Sequence, residues 1–322
     1  SDLPKRPHNC LGGDASFERV LNVLGQIARP YRNGNRVDLI FGAAEVFDRL
    51  LSTELQLCDT LEQTPLDRRR MAMIAKRAMS DAWLDDLGER QVILKGRGGV
   101  GKTVILLQMA YRAYEVRQQR SLLLTFNKAL VADLRRTMAL LGVPKSLETG
   151  GIAIDTVHAF FGRVMRQLGI IDSYDGFLER FDENKATLLD YLQSGTVSRA
   201  DLDALMKQHG ADFDWDLVFV DEGQDWPADE IAILRHLYGP ERLTVSDGVD
   251  QYVRESVADW SQGVPKTSLR ARRLTRCMRM KANLAAFVSD MAASLGIDDW
   301  DLEPNSDAPG GRVIVVEGDL AS

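Results

Sequence analysis

The chain has 322 residues, with 40 Lys and Arg against 47 Asp and Glu, a formal net charge of −7, and 45% hydrophobic residues. This length supports one large α/β domain with appendages or two domains with cores of their own, while the acidic balance excludes a global basic field. A nucleic-acid partner must therefore be met by a local positive patch. Cys10, Cys58 and Cys277 lie far apart without C-x-x-C spacing, which argues against a disulfide framework or a zinc site. No run approaches the ~18 apolar residues of a membrane span, and Ser1 to His8 carries no signal-peptide apolar region. A cytoplasmic, reducing location is the expectation.

Residues 1–62 hold two apolar-periodic stretches, Phe17 to Ile27 and Ala43 to Leu57, separated by the turn-rich segment Pro30 to Asn35. They read as a small N-terminal region with no catalytic constellation. A helix is expected from about Leu66 to Trp83, with Met71, Ile74, Ala75 and Met79 on one apolar face. The apolar run Val92-Ile93-Leu94 then leads into Gly96-Arg97-Gly98-Gly99-Val100-Gly101-Lys102-Thr103, which satisfies G-x-x-x-x-G-K-[ST]. From Val104 to Val116 apolar residues recur at near-helical spacing. Strand, glycine-rich loop and helix in that order are the context this motif requires. Its glycines let successive N–H groups face one phosphate chain at a helix N-terminus. Lys102 then suits the β- and γ-phosphates, and Thr103 suits Mg²⁺.

Further on, short β-rich runs recur between helical patterns: Leu122 to Phe126, Ile152 to Ile154, Leu217 to Val220 and Leu243 to Val245. Their continuous apolar character predicts strands buried on both faces of a parallel sheet built from βαβ units. Residues 172–214 have helical patterns without a strong strand and read as a helical insertion. After Arg279, a helix is expected from Ala282 to Leu295, ending at Gly296, and a last strand from Arg312 to Val316.

The run Val218 to Val220 ends abruptly in Asp221 and Glu222, followed by Gly223, Gln224 and Asp225. Strand C-termini line the ligand crevice of a parallel sheet. Asp221 therefore suits the Mg²⁺ shell, and Glu222 suits the orientation or deprotonation of an attacking water. The alternative is that the pair opens a solvated loop and caps the helix that follows. Phe126, at a strand end, suits base stacking or the core. Thr156 and His158 suit phosphate contacts or local structure. Arg270, Arg272, Arg273, Arg276, Arg279 and Lys281, with no acid among them, form the strongest positive patch in the sequence. Arg279 is expected at the transferring phosphoryl and the others at the surface or on nucleic acid.

Taken in order, these motifs resemble the first motor domain of superfamily 1 DNA helicases of the UvrD/Rep group. Asp221 to Asp225 matches that group's Asp-Glu-x-Gln-Asp motif. Leu124 to Ala129 is similar to its strand-end aromatic motif and Asp155 to Phe160 to its Thr-x-His-x-Phe motif. Ser246 to Gln251 is similar to the Gly-Asp-x-x-Gln sensor, with Ser246 standing where the group has Gly. Leu274 to Arg279 matches Leu-x-x-Asn-Tyr-Arg. Arg254 and Ser256 replace the aromatics that usually follow the Gln, leaving Tyr252 or Trp260 as substitutes.

The resemblance implies a RecA-like P-loop NTPase domain with a parallel β-sheet over residues 63–280, preceded by the small N-terminal region. Residues 281–322 would open an incomplete second lobe. It implies ATP and Mg²⁺ as ligands, single-stranded or forked DNA as partner, and translocation or unwinding as the work coupled to hydrolysis. Gln251 and Arg279 would read the γ-phosphate. Phe126, Asn127, Thr156 and His158 would touch nucleic acid. A reading from another class is a nucleotide-gated switch that binds partners without processive motion.

Overall fold

The computed structural model describes residues 64–75, 81–144, 150–248, 259–297 and 300–314. The stretches expected within residues 1–62, the candidate Gln251 and the substitute aromatic Tyr252 lie outside them. The chain divides into two compact units, residues 1–71 with 139–142, and residues 72–138 with 143–322. In the first, Thr64 and Asp67 exchange reciprocal hydrogen bonds at the start of α1 (Pro65–Ile74).

The second unit carries a six-stranded sheet in the order β3-β2-β4-β5-β1-β6, parallel throughout. Its strands are β1 (Gln91–Gly96), β2 (Arg120–Thr125), β3 (Gly151–Thr156), β4 (Leu217–Val220), β5 (Leu243–Gly248) and β6 (Leu269–Leu274). The four central strands are almost wholly buried, as their unbroken apolar sequences require. The crossovers carry α3 (Lys102–Arg117), α4 (Lys128–Leu140), α5 (Val157–Gln167) and α9 (Ala228–Tyr238). Because every strand runs the same way, all six C-terminal ends gather on one edge of the sheet.

Two strand expectations need correction. β6 was not foreseen, because its sequence Leu-Arg-Ala-Arg-Arg-Leu reads as a basic patch. At the sheet edge its exposed side chains need no apolar partner, and pairing to β1 supplies its backbone bonds. Conversely, Arg312 to Ile314, expected to open a last strand, form none, and Val315 and Val316 lie outside the described residues.

Three helices lie within residues 172–214: α6 (Phe181–Ser194), α7 (Arg199–Gln208) and α8 (Gly210–Phe213). Ser198 and Asp201 form a reciprocal capping box at the start of α7. Phe177, Phe181, Leu188, Leu192 and Phe213 of this region join the core with Phe160, Phe161 and Trp226. The buried ammonium of Lys185 on α6 meets Glu230 at 3.2 Å, with Asp229 and Asp182 both at 3.1 Å. Burial works against this charge, but the carboxylates outweigh it and hold the Lys185 pKa above the ordinary lysine value. A short α2 (Asp81–Leu84) precedes the sheet, and α10 (Ala282–Ser294) follows it. Among the described residues, no helix is long and apolar enough to cross a membrane.

Candidate nucleotide-binding site

Residues 96–103 leave β1 at the sheet edge and enter α3. Gly99 and Gly101 sit at φ 83° and 87°, in the left-handed region that favours glycine, so the loop can wrap back on itself. Space is a second demand: a Cβ on Gly99 would lie 3.0 Å from Cβ of Arg279. Lys102 opens α3, and its buried ammonium donates to the carbonyls of Gly96 at 3.0 Å and Arg97 at 3.4 Å. Burial lowers the Lys102 pKa, opposed by the charges of Glu222, Asp221 and Asp247 and reinforced by Arg279.

Asp221, first residue after β4, is 1% exposed. Its main-chain N–H donates to Leu124 O at 2.9 Å, extending the β2–β4 ladder by one bond. Thr103, 118 residues away in sequence, places its hydroxyl 3.1 Å from each carboxylate oxygen of Asp221. Ser246 on β5 donates to Oδ1 at 2.8 Å. Among the described residues, no cation lies within ion-pair distance of this carboxylate. Burial, and then the charge of Glu222, push its pKa above the carboxylate range.

Glu222 follows in the left-handed region at φ 49°, a step that side-chain-bearing residues take rarely. Its carboxylate accepts from Gln224 Nε2 at 2.8 Å, and Gln224 Oε1 accepts from the Gly248 N–H at 2.7 Å. That second bond fixes which end of the Gln224 amide faces Glu222. The chain bends back at Gly223, whose carbonyl accepts from Trp260 Nε1 at 2.8 Å. Trp260 is 1% exposed and stacks edge-on against Trp226. It cannot substitute as a base-stacking platform, because its ring is spent closing the core behind the acidic pair.

The outer side of the loop is covered by the segment after β6. The N–H groups of Met278 and Arg279 donate to Gly99 O at 2.8 and 3.1 Å, and Val100 shares a small core with Cys277, Ala285 and Leu302. Arg97 turns away from the loop interior, 4.5 Å from the centre of the Trp300 ring and 3.2 Å from Asp301. Its side chain is therefore committed to a brace, and only the backbone of Arg97 is left to line the loop interior. Arg279 sits above Gly99 and is exposed.

The basic patch is largely neutralised in space. Arg270 and Arg272 both pair with Asp86, Arg272 also covers Trp83, Arg273 pairs with Asp301, and Arg276 with Asp307. At the neighbouring strand ends, Asn127 Oδ1 accepts from the N–H groups of Ala129 and Leu130 and so caps α4. Thr156 Oγ1 caps α5 through the Ala159 N–H. Phe126 is half-buried, its ring 5.4 Å from Trp226 and 6.1 Å from the half-buried His158, which lies 4.6 Å from Phe181. These four candidates thus share the C-terminal edge with the glycine-rich loop.

Among the described residues, no cluster of three or more His, Cys, Asp or Glu could hold a metal by protein ligands alone. One hydroxyl and one carboxylate, Thr103 and Asp221, suit a hard cation that takes its remaining oxygens from phosphates and water. Sequence reasoning missed Gln224 and Ser246 as site residues, although both lie inside the motifs it quoted. No protein-family model matches this chain, and no curated protein does.

Proposed function

We propose that this chain binds and hydrolyses a nucleoside triphosphate, ATP by resemblance, with Mg²⁺. It would serve as the first motor portion of a DNA translocase or helicase similar to the UvrD/Rep group, built on a RecA-like P-loop domain. The observation that carries the reading is the Thr103 hydroxyl set 3.1 Å from both oxygens of the buried Asp221, at the mouth of a loop whose glycines and lysine suit a phosphate chain.

Mg²⁺, when bound, would be held by Thr103 and Asp221 and would neutralise charge on the β- and γ-phosphates. The loop amides and the α3 N-terminus bind phosphate oxygens. Lys102 exchanges the carbonyls of Gly96 and Arg97 for the same anions. Glu222, held by Gln224, accepts the proton of an attacking water. Arg279, exposed above Gly99, supplies positive charge as the γ-phosphate departs, and Gln251 reads that group.

The test is nucleotide titration beside phosphate release. Lys102→Ala is expected to weaken binding and abolish turnover. Glu222→Gln is expected to retain binding and lose roughly 10²–10⁴-fold in hydrolysis, the size of a general-base contribution. Wild-type turnover in Glu222→Gln would remove it as the base, and absence of Mg²⁺-dependent hydrolysis in the unmodified protein would refute the reading.

Paired arginines and a buried Trp260 favour one second reading, a nucleotide-gated switch without processive motion. Stimulation of phosphate release by single-stranded DNA separates the two. For a motor, Phe126→Ala should lose about 1–3 kcal/mol of single-strand affinity with nucleotide affinity unchanged. Unchanged DNA affinity with a lower melting temperature would assign Phe126 to the core edge it shares with Trp226.

A further inference from the structure

Ser246 lies one position beyond Val245, which pairs with Val220 in the β4–β5 register, so it stands beside the residue that ends β4 in the acidic pair. It is fully buried. Its hydroxyl has one proton and donates it to Asp221 Oδ1 at 2.8 Å, and the same oxygen accepts the Glu222 N–H at 3.1 Å. The direction of both bonds follows from chemistry, since a backbone N–H only donates and an ionised carboxylate only accepts. One side chain thus fixes the carboxylate of Asp221 and the backbone of Glu222 at its left-handed step.

The two hydroxyls on Asp221 are not equivalent. Thr103 lies 3.1 Å from both oxygens, a shared and symmetric approach. Ser246 lies closer and faces Oδ1 alone, and a hydrogen bond to an ionised acceptor at that distance is the stronger kind. When Thr103 turns toward a cation, Ser246 still holds Oδ1 and leaves Oδ2 as the oxygen without a second hydroxyl.

We propose that Ser246 is the positioning residue of the cation site. By holding Asp221 and Glu222 in one arrangement, it sets the affinity for the divalent ion while leaving metal-free nucleotide binding to the phosphate loop. This inference rests on the nucleotide-binding reading above. Oxygen ligands of a metal are commonly oriented by such outer partners, whose loss costs roughly 10–100-fold in metal affinity.

The test uses the full chain, a fluorescent ATP analogue and two titrations, one in EDTA and one over Mg²⁺ at fixed analogue. For Ser246→Ala, affinity in EDTA should stay within about twofold of wild type, and the Mg²⁺ midpoint should rise by roughly 10–100-fold. Ser246→Cys, which preserves packing with a poorer donor, should behave likewise, and Ser246→Thr should recover most of the Mg²⁺ affinity. Melting in EDTA reports folding of each variant separately. A wild-type Mg²⁺ midpoint in both Ala and Cys variants overturns the proposal. So does a parallel loss in EDTA and Mg²⁺, because that marks a merely structural residue. If the unmodified chain binds no analogue, or binds it with no Mg²⁺ effect, the nucleotide reading fails and this inference falls with it.

Discussion

Asp221→Asn should make the nucleotide-free protein more stable while removing its response to Mg-nucleotide. Asp221 is 1% exposed, beside a second carboxylate and with no ion-pair partner among the described residues. Its folded pKa lies above the unfolded value, so its contribution is fully present below the ordinary carboxyl range near ~3.9 and is lost as pH rises through the raised folded value. At neutral pH the side chain therefore burdens the fold. Asparagine removes the carboxyl group and keeps partners for most of what replaces it: its carbonyl can accept from Ser246, and one of its two amide N–H groups can donate to the Thr103 oxygen. Part of the gain is offset because Lys102 loses the attraction of Asp221. A net stabilisation of about 1 kcal/mol is expected, within the ~0.5–2 kcal/mol that single stabilising substitutions commonly give, or roughly 2–4 °C in a domain of about 150–250 residues. Ligand occupancy at about 100 times Kd adds ~2.7 kcal/mol to the wild type, and the variant should lose most of it. Thermal melts at pH 7, with and without Mg²⁺ and nucleotide, should show the order of stabilities reversing on ligand addition. Repeating the ligand-free melt near pH 4 should shrink the variant's advantage. A ligand-free Asp221→Asn protein less stable than wild type at pH 7 would show that the buried carboxyl does not cost the fold stability.

Other perturbations give expectations of different kinds. In Gly223→Ala the new Cβ would overlap Val245 Cγ1 and lie 2.9 Å from Ser246 O, so a loss of about 1–3 kcal/mol from overpacking is expected, read as a lower denaturant midpoint. Lys185→Met leaves Glu230, 2% exposed, without its cation and should cost about 3–5 kcal/mol. The double variant Lys185→Met, Glu230→Leu should recover most of that loss in the same denaturation assay, and no recovery would show that the ion pair is not what fixes α6 to α9.

How much of this was legible in the sequence depended on whether the determining partners were near in the chain. The central strands announced themselves because burial on two faces forces unbroken apolar runs, and α3 because its apolar residues recur at helical spacing directly after the glycine-rich loop. β6 was hidden because an edge strand can be made of arginines. Those same arginines misled the reading of charge: Asp86, Asp301 and Asp307, which pair with four of them, sit outside the run in which the positive charges were gathered. In the site, Thr103 and Asp221 were assigned from spacing and strand context, and the fold brings them together. Gln224 and Ser246 were not, because hydrogen bonding across the β4 and β5 ends is a matter of register. The signal for Ser246 was its very difference from the Gly of the group the motifs resemble.

The covering of the glycine-rich loop by the segment after β6 bears on how the protein can be dissected. Gly99 draws two amide bonds from Met278 and Arg279, Arg97 rests on Trp300 and Asp301, and Val100 packs with Leu302. A fragment ending at Leu274 would keep every strand of the sheet yet leave the loop's outer wall bare, with Val100 and the Gly99 carbonyl turned to solvent. The smallest piece that preserves this covered loop therefore extends through Leu302, and fusion junctions or domain swaps belong after that residue, not at the end of the last strand.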